Sequence, residues 1–465
     1  MADYDLVVLG AGPGGYVAAI RAAQLGLKTA VVERDRLGGI CGNWGCIPSK
    51  AILSDAALYV EVKSAARRGI IADGLRVDYP RVIGRSREVA DQQAKGVEFL
   101  FKKNKVVYHH GTGRIAEGGL VVTNDRGAPE HLRAKNLLVA TGSRERTLPG
   151  LEVDGKIVLT SREALESREL PASVVIIGGG AIGVEFAYVY ASFGAKVTVV
   201  EMAASLLPGM DVDLGRELER SFNKQGMDIL TGHRYARLER RGDGAVVTVN
   251  DGEGREKVLQ AARVLVAVGR VPLTEGSGLE EVGVQTEKGF VVVDAGMRTS
   301  VEGVYAIGDL VGPLLLAHTA SEQGILAVET MAGKRRGGRG LDPTRVPVCI
   351  YCHPEVAAVG LSEADARAAG REVQVGKFPF RALGKAMASA HTDGFVKLVA
   401  DARYGEILGV HMIGVGVTDL IAEAGLGRTL EATTEELAET VHAHPTLAEA
   451  LKEAALAARG EALNI

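Results

Sequence analysis

Residues 4–15 read Tyr4-Asp-Leu-Val-Val-Leu9-Gly10-Ala-Gly12-Pro-Gly-Gly15, and this stretch decides the fold. A short apolar run meets a glycine-rich turn, a helical stretch follows to about Leu25, and a second apolar run, Thr29-Ala-Val-Val32, ends at Glu33. Glycines here permit a tight turn and the close approach of a pyrophosphate to the helix N-terminus, while an acid at the end of the second strand accepts adenosine ribose hydroxyls. The pattern returns downstream. Ser173-Val-Val-Ile-Ile177 runs into Gly178-Gly-Gly180-Ala181-Ile182-Gly183, and Lys196-Val-Thr-Val-Val200 delivers Glu201. Two complete fingerprints mean two dinucleotides or a duplicated domain. A carboxylate at Glu201, with no arginine close behind it, favours a free ribose 2′-hydroxyl and so NAD over NADP.

The chain has 465 residues, which predicts about two to four domains. Its net charge is −4 with both signs mixed, so neither a nucleic-acid footprint nor a membrane-surface role is expected. The N-terminal Met-Ala-Asp-Tyr leads straight into a strand without a basic and then apolar leader, and no apolar run is long enough to span a bilayer. A cytoplasmic location is expected. The four cysteines are too few for a disulfide-stapled secreted scaffold.

Two of them fall in Gly38-Gly39-Ile40-Cys41-Gly42-Asn43-Trp44-Gly45-Cys46-Ile47-Pro48-Ser49-Lys50. If Cys41 and Cys46 form a disulfide they cannot share a regular helix, where Cα atoms five apart stand about 8.7 Å from each other, beyond the roughly 7 Å a disulfide bridges. Gly42 and Gly45 would let the backbone bend. A strained bridge of this kind is suited to cycling. Lys50 lies four residues after Cys46, one helical turn on and on the same face. The second pair, in Cys349-Ile-Tyr-Cys352-His353, has the spacing of a haem attachment site. Without a secretory leader, structural thiols on opposite strand faces are expected there, and no haem. His318, His391 and His411 lack companion ligands, so no metal is expected.

Together these segments resemble the flavin-dependent pyridine nucleotide–disulfide oxidoreductases over essentially the whole chain. Further matching motifs are Ala140-Thr141-Gly142-Ser143, Ala267-Val-Gly269-Arg-Val-Pro272, Gly303-Val-Tyr-Ala-Ile-Gly308-Asp309, Leu316-Ala317-His318 and His442-Ala-His444-Pro445-Thr446-Leu-Ala-Glu449. The Ile47–Lys50 ending and the Leu447 context are closer to the lipoamide branch than to the glutathione branch. The resemblance implies an α/β chain with two Rossmann-like dinucleotide-binding domains and an α+β dimerisation domain. FAD would occupy residues 1–145, NAD residues 146–269, a central segment 270–338 would complete the flavin site, and 339–465 would form the interface. Residues 334–340, Lys-Arg-Arg-Gly-Gly-Arg-Gly, read independently as a charged, glycine-rich linker. Strands are expected around 347–351 and 395–399, and a helical tail over 446–459.

By the same resemblance, non-covalent FAD would be held by Gly10, Gly12, Gly15, Glu33, Arg34, Gly39, Lys50, Gly113, Thr141, Gly142, Ser143, Asp309, Leu315, Leu316, Ala317 and His318. Gly111 would let the backbone approach the adenine. The helix beginning near Leu315 would aim its amides at the flavin. NAD⁺/NADH would be held by Gly178, Gly180, Ala181, Ile182, Gly183, Glu201 and Gly269. The implied catalytic set is Cys41, Cys46, His444, Glu449, Lys50 and Glu185. Glu185 would pair with Lys50, and His444, oriented by Glu449, would deprotonate a dihydrolipoyl thiol. In such enzymes the His–Glu pair comes from the other subunit of a homodimer. The implied partners are the lipoyl domain and the peripheral-subunit-binding domain of a 2-oxoacid dehydrogenase acyltransferase, the enzyme serving a 2-oxoacid dehydrogenase or a glycine-cleavage complex. Three positions depart from the family pattern: Ile40 stands where threonine is usual, Gly42 replaces a larger aliphatic and Trp44 a valine. The last two read as a small-for-large, large-for-small exchange of volume.

Overall fold

The computed structural model describes residues 3–116, 119–123, 129–334 and 340–465. Most of the 334–340 linker therefore lies outside the described residues. The first fingerprint sits at the centre of a five-stranded parallel sheet, in the spatial order Val304–Ala306, Ala134–Val139, Tyr4–Leu9, Thr29–Glu33, Val107–His110. The second occupies the same central place in another parallel sheet, ordered Asp228–Leu230, Lys196–Val200, Ser173–Ile177, Arg263–Val266, Val158–Leu159. Continuous Val/Ile/Leu runs form these strands because both faces of each sheet are covered, by helices on one side and on the other by a three-stranded antiparallel sheet. That covering sheet is Thr112–Ala116, Gly119–Thr123 and Glu130–Leu132 in the first case and Arg234–Arg241, Gly244–Asn250 and Glu256–Ala261 in the second. Ser143–Glu145 pairs antiparallel with Arg270–Pro272, so the chain leaves for the second sheet and returns from it at one point.

The glycines of the two fingerprints do matching work. Gly10 and Gly178 have φ near +103° and +112°, and a Cβ on either would lie 2.3 Å from a carbonyl oxygen of the neighbouring strand's end. Such a backbone favours glycine strongly. Gly12 and Gly180 face open space at the first turn of helices Pro13–Gln24 and Ala181–Ser192. Gly15 and Gly183 instead press the helix onto the turn, since a Cβ on either would stand 1.9 Å from the carbonyl oxygen of Gly10 or Gly178. Helix Pro13–Gln24 also packs closely on Ala317–Met331, where a Cβ on Gly324 would come 2.7 Å from the Gly14 oxygen, and Arg21 clamps Glu329 at 2.6 Å. Two helix N-termini are thereby aimed into one space.

The C-terminal part is a five-stranded antiparallel sheet, ordered Val348–Ile350, Glu355–Gly360, Ile407–Gly414, Phe395–Asp401, Val373–Pro379. Helices Val417–Thr429 and Glu449–Ala458 accompany it; the tail helix starts three residues later than expected. One apolar cluster, including Ile52, Tyr79, Tyr188, Phe193, Ile350 and Val356, joins the cysteine-bearing helix, the second parallel sheet's layer and this C-terminal sheet. No helix among the described residues is long and apolar enough to cross a membrane.

Candidate active site

A cavity of about 700 Å³ lies where these parts meet, and every residue expected to hold the flavin except Gly15 lines it. Gly15 shapes the turn from behind. We expect Gly15→Ala to destabilise the protein by about 1–3 kcal/mol or more, the cost of overpacking an unyielding contact, and to weaken flavin retention. Unchanged melting and cofactor content would show that the turn can relax. Of the expected nicotinamide-site residues, Ala181 and Ile182 line this cavity; Gly178, Gly180, Gly183, Glu201 and Gly269 do not. The two acids are held alike. Glu33 accepts backbone N–H groups from Ala11 and Asp35 at 2.8 and 2.9 Å, and Glu201 accepts those of Gly179 and Ala203 at 2.6 and 2.7 Å.

The cysteine segment is two helices. Gly39–Trp44 carries Cys41, Cys46–Ser64 begins at Cys46, and Gly45, at φ −152° and ψ −114°, breaks the axis between them. Gly45 alone makes the bend. Gly42 remains helical, with Gln93 as the nearest neighbour to its missing side chain. The two thiols are not bonded to each other and lie close enough for each to shift the other's ionisation. The hydrogen bond from Cys41 lowers the pKa of Cys46; burial opposes this, and Lys50 assists it. Cys41 moves the other way, raised by the same hydrogen bond and by burial. Geometry agrees, because Cys46 is the first residue of a 19-residue helix whose N-terminal dipole favours a thiolate.

Lys50, one turn along that helix, donates to both oxygens of Glu185 at 2.9 Å. The carboxylate is 7 % exposed and also accepts the Tyr351 N–H at 3.0 Å. Tyr351 adds a second contact, its ring centroid 4.5 Å from the Lys50 ammonium. Sequence reasoning passed over Tyr351, which reaches this pair from the C-terminal sheet. Cys349, two residues before it, also lines the cavity, whereas Cys352 is buried. Burial raises the Cys349 thiol to about 11, so it stays protonated. At the other end, Ser143 donates to Asp309 and receives Arg270 Nε at 2.7 Å, while Arg270 also reaches Glu145 at 3.0 Å. Arg270 is a second omission, although it stood inside a quoted motif.

Trp44 lines the cavity with its ring between the guanidinium groups of Arg87 and Arg162, at 4.6 and 4.2 Å, and its Nε1–H donates to Asp35 at 2.9 Å. Gly42 and Trp44 thus face different neighbours, so the expected exchange of volume between them does not occur. Ile40 is 38 % exposed at the cavity wall.

His444 and Glu449 do meet each other: Nδ1 lies 2.9 Å from Glu449 Oε1, and the Thr446 N–H donates to Oε2 at 2.9 Å. Partial burial works against the Glu449 carboxylate, but His444 and the Thr446 amide hold its pKa below the usual range. Neither residue lines the cavity of its own chain, and the His444 side chain is 77 % exposed. The histidine and its carboxylate are assembled at the surface, outside the cavity that the two cysteines line.

The pyridine nucleotide-disulphide oxidoreductase model matches residues 4–324, and the dimerisation-domain model of the same group matches residues 346–455. Dihydrolipoyl dehydrogenase of Bacillus subtilis is 48 % identical, with 99 % of each chain covered. Dihydrolipoyl dehydrogenase of Zymomonas mobilis is 45 % identical over the full length of both chains. Among solved structures, LpdA from Mycobacterium tuberculosis superposes with a TM-score of 0.89 at 30 % identity, covering 97 % of this chain and 98 % of that one.

Proposed function

The chain belongs to the pyridine nucleotide-disulphide oxidoreductase family, and from that premise we propose that it works as a dihydrolipoyl dehydrogenase. It is an NAD-dependent flavoprotein and a homodimer. The observation that carries the reading is the Cys41–Cys46 pair at one wall of the cavity, with the Lys50–Glu185 pair one helical turn away. The cavity suits FAD: it is lined by a glycine turn with no Cβ in the way at Gly12, an acid at Glu33 and a second helix N-terminus at Ala317. Bound FAD supplies the two-electron carrier between a dithiol and NAD⁺.

The chain's own residues account for the dithiol chemistry. His444, its Nδ1–H donated to Glu449, presents Nε2 as the base and takes the proton of one dihydrolipoyl thiol. The resulting thiolate attacks Cys41 Sγ; the Cys41–Cys46 bond breaks and Cys46 leaves as the thiolate. The second lipoyl thiol then displaces Cys41, which releases the cyclic disulfide with two electrons fewer. Lys50 and the helix N-terminus lower the cost of negative charge on Cys46. His444 is exposed and does not line its own chain's cavity, which supports a base supplied to each cavity by the second subunit.

The same reading divides the chain near residues 145, 269 and 338; the pairing of Ser143–Glu145 with Arg270–Pro272 supports the first two, and residue 338 lies outside the described residues. The working surroundings are the cytoplasm, and the dithiol is presented by the lipoyl domain of an acyltransferase whose peripheral-subunit-binding domain anchors the dimer. With dihydrolipoamide as donor, the protein is expected to form NADH and far less NADPH at equal nucleotide concentration. Comparable rates with both nucleotides, or none with either, would contradict this reading.

A further inference from the structure

Strand Phe395–Asp401 is buried at every position, yet its third residue is a lysine. The Lys397 side chain is 5 % exposed, and its ammonium lies 3.0 Å from Asp211, 3.2 Å from Asp213 and 3.1 Å from Glu363. Lys377 pairs with Asp213 at 3.2 Å and Arg367 with Glu363 at 3.1 Å, so three cations balance three carboxylates. Burial works against the charged lysine, but its carboxylates more than compensate and hold its pKa above the usual value. The cluster joins two distant parts of the chain. Lys397, Lys377, Glu363 and Arg367 belong to the C-terminal part, whereas Asp211 and Asp213 open helix Val212–Lys224, which follows the second fingerprint.

Between Glu201 and that helix runs the segment 202–211, which folds over the second glycine turn. The Leu207 N–H donates to the Gly179 oxygen at 2.9 Å, and Leu207 holds a left-handed backbone at φ +54° while almost fully buried. Such a conformation in a non-glycine residue persists only when its surroundings enforce it. Leu206 packs where a Gly179 side chain would be, and a Cβ on Gly215 of the helix would lie 2.2 Å from the Leu206 oxygen. Asp211 caps the helix through the Asp213 N–H at 3.0 Å while receiving Lys397. A rigid path therefore runs from Lys397 through Asp211 and the helix start to Leu206–Leu207, Gly179 and the Glu201 carboxylate.

We propose that Lys397 is a positioning residue for the nicotinamide dinucleotide: the C-terminal sheet, through this buried ion cluster, latches the segment that shapes the Gly178–Gly183 turn and aims Glu201. The proposal rests on the reading that this turn binds NAD⁺. A buried charge left unpaired is costly, which makes Lys397→Met alone a risk to folding. The double variant Lys397→Met/Asp211→Asn removes charge of both signs and is tested beside Lys397→Arg.

The measurements are the Kd of NAD⁺ for the FAD holoenzyme by calorimetry, the KM for NAD⁺, and the anaerobic rate of the dithiol half-reaction. In the double variant, Kd and KM are expected to rise about tenfold, within the usual strength of coupling between linked sites. The dithiol half-reaction should stay within about twofold of the parent rate, because the loss falls on one substrate's binding only. Lys397→Arg should recover most of the affinity. An unchanged Kd, an equal loss in both half-reactions, or failure of the double variant to fold as holoenzyme would overturn the latch. Glu201→Ala separates the two levels of the argument. If it too leaves Kd unchanged, the assignment of the turn to NAD⁺ fails; if it weakens binding while the double variant does not, only the latch fails.

Discussion

Cys46→Ser abolishes turnover of dihydrolipoamide, by on the order of 10⁴-fold or more, the scale set by loss of a covalent participant. Cys41→Ser does the same, and the two variants then part company. Cys46 begins a helix, takes the Cys41 hydrogen bond and sits one turn from Lys50, so it is the sulfur that holds negative charge. With Cys41 replaced, the Cys46 thiolate remains against the flavin site, and the long-wavelength absorption of a thiolate–flavin contact persists. With Cys46 replaced, that absorption disappears. The sign of its pH dependence follows: Cys46 has its pKa lowered from the ordinary thiol value, so the band fades as pH falls through the shifted value and the sulfur takes up a proton. A band that survives in Cys46→Ser and vanishes in Cys41→Ser would reverse the two roles.

His444→Gln carries the second largest effect. Removing a positioned general base costs about 10²–10⁴-fold in the step it serves. That step is deprotonation of the entering dithiol, so rapid-mixing measurements should find reduction by dihydrolipoamide slowed on this scale and reoxidation by NAD⁺ nearly untouched. Equal losses in both halves would contradict the division of labour. The same substitution tests the subunit arrangement. In heterodimers of a His444→Gln chain with a Cys41→Ser chain, one cavity pairs intact cysteines with a defective base and the other the reverse if the base comes from the second subunit. Such heterodimers should be nearly inactive. Near half activity would place His444 with its own chain's cysteines.

The parts of this architecture that repeat locally were readable from the residues. Strands Tyr4–Leu9, Ser173–Ile177 and Lys196–Val200 lie where their apolar runs placed them, because strand, glycine turn and helix all fall within a few tens of residues. The break at Gly45 followed from the reach of a disulfide, although Gly42 took no part in it. What stayed hidden depends on contacts across long separations. Tyr351 touches Lys50 and Glu185 from just past strand Val348–Ile350, far along the chain, and no spacing rule relates the three. Lys397 in an apolar strand is a visible oddity, but its carboxylates, Asp211 among them, lie on other segments and could not be assigned to it. The fingerprint glycines looked interchangeable in sequence. The close contacts behind Gly10, Gly15, Gly178 and Gly183 separate them from Gly12 and Gly180, which face open space.

The most direct test of the central claim is an anaerobic titration of the flavin-loaded protein with dihydrolipoamide and then NAD⁺, followed by absorption. The account predicts a long-wavelength thiolate–flavin band that grows with added dithiol and clears as NADH forms in equal amount. A flavin spectrum that does not respond to dihydrolipoamide would leave the fold as described and contradict the assignment of Cys41 and Cys46 to lipoyl chemistry.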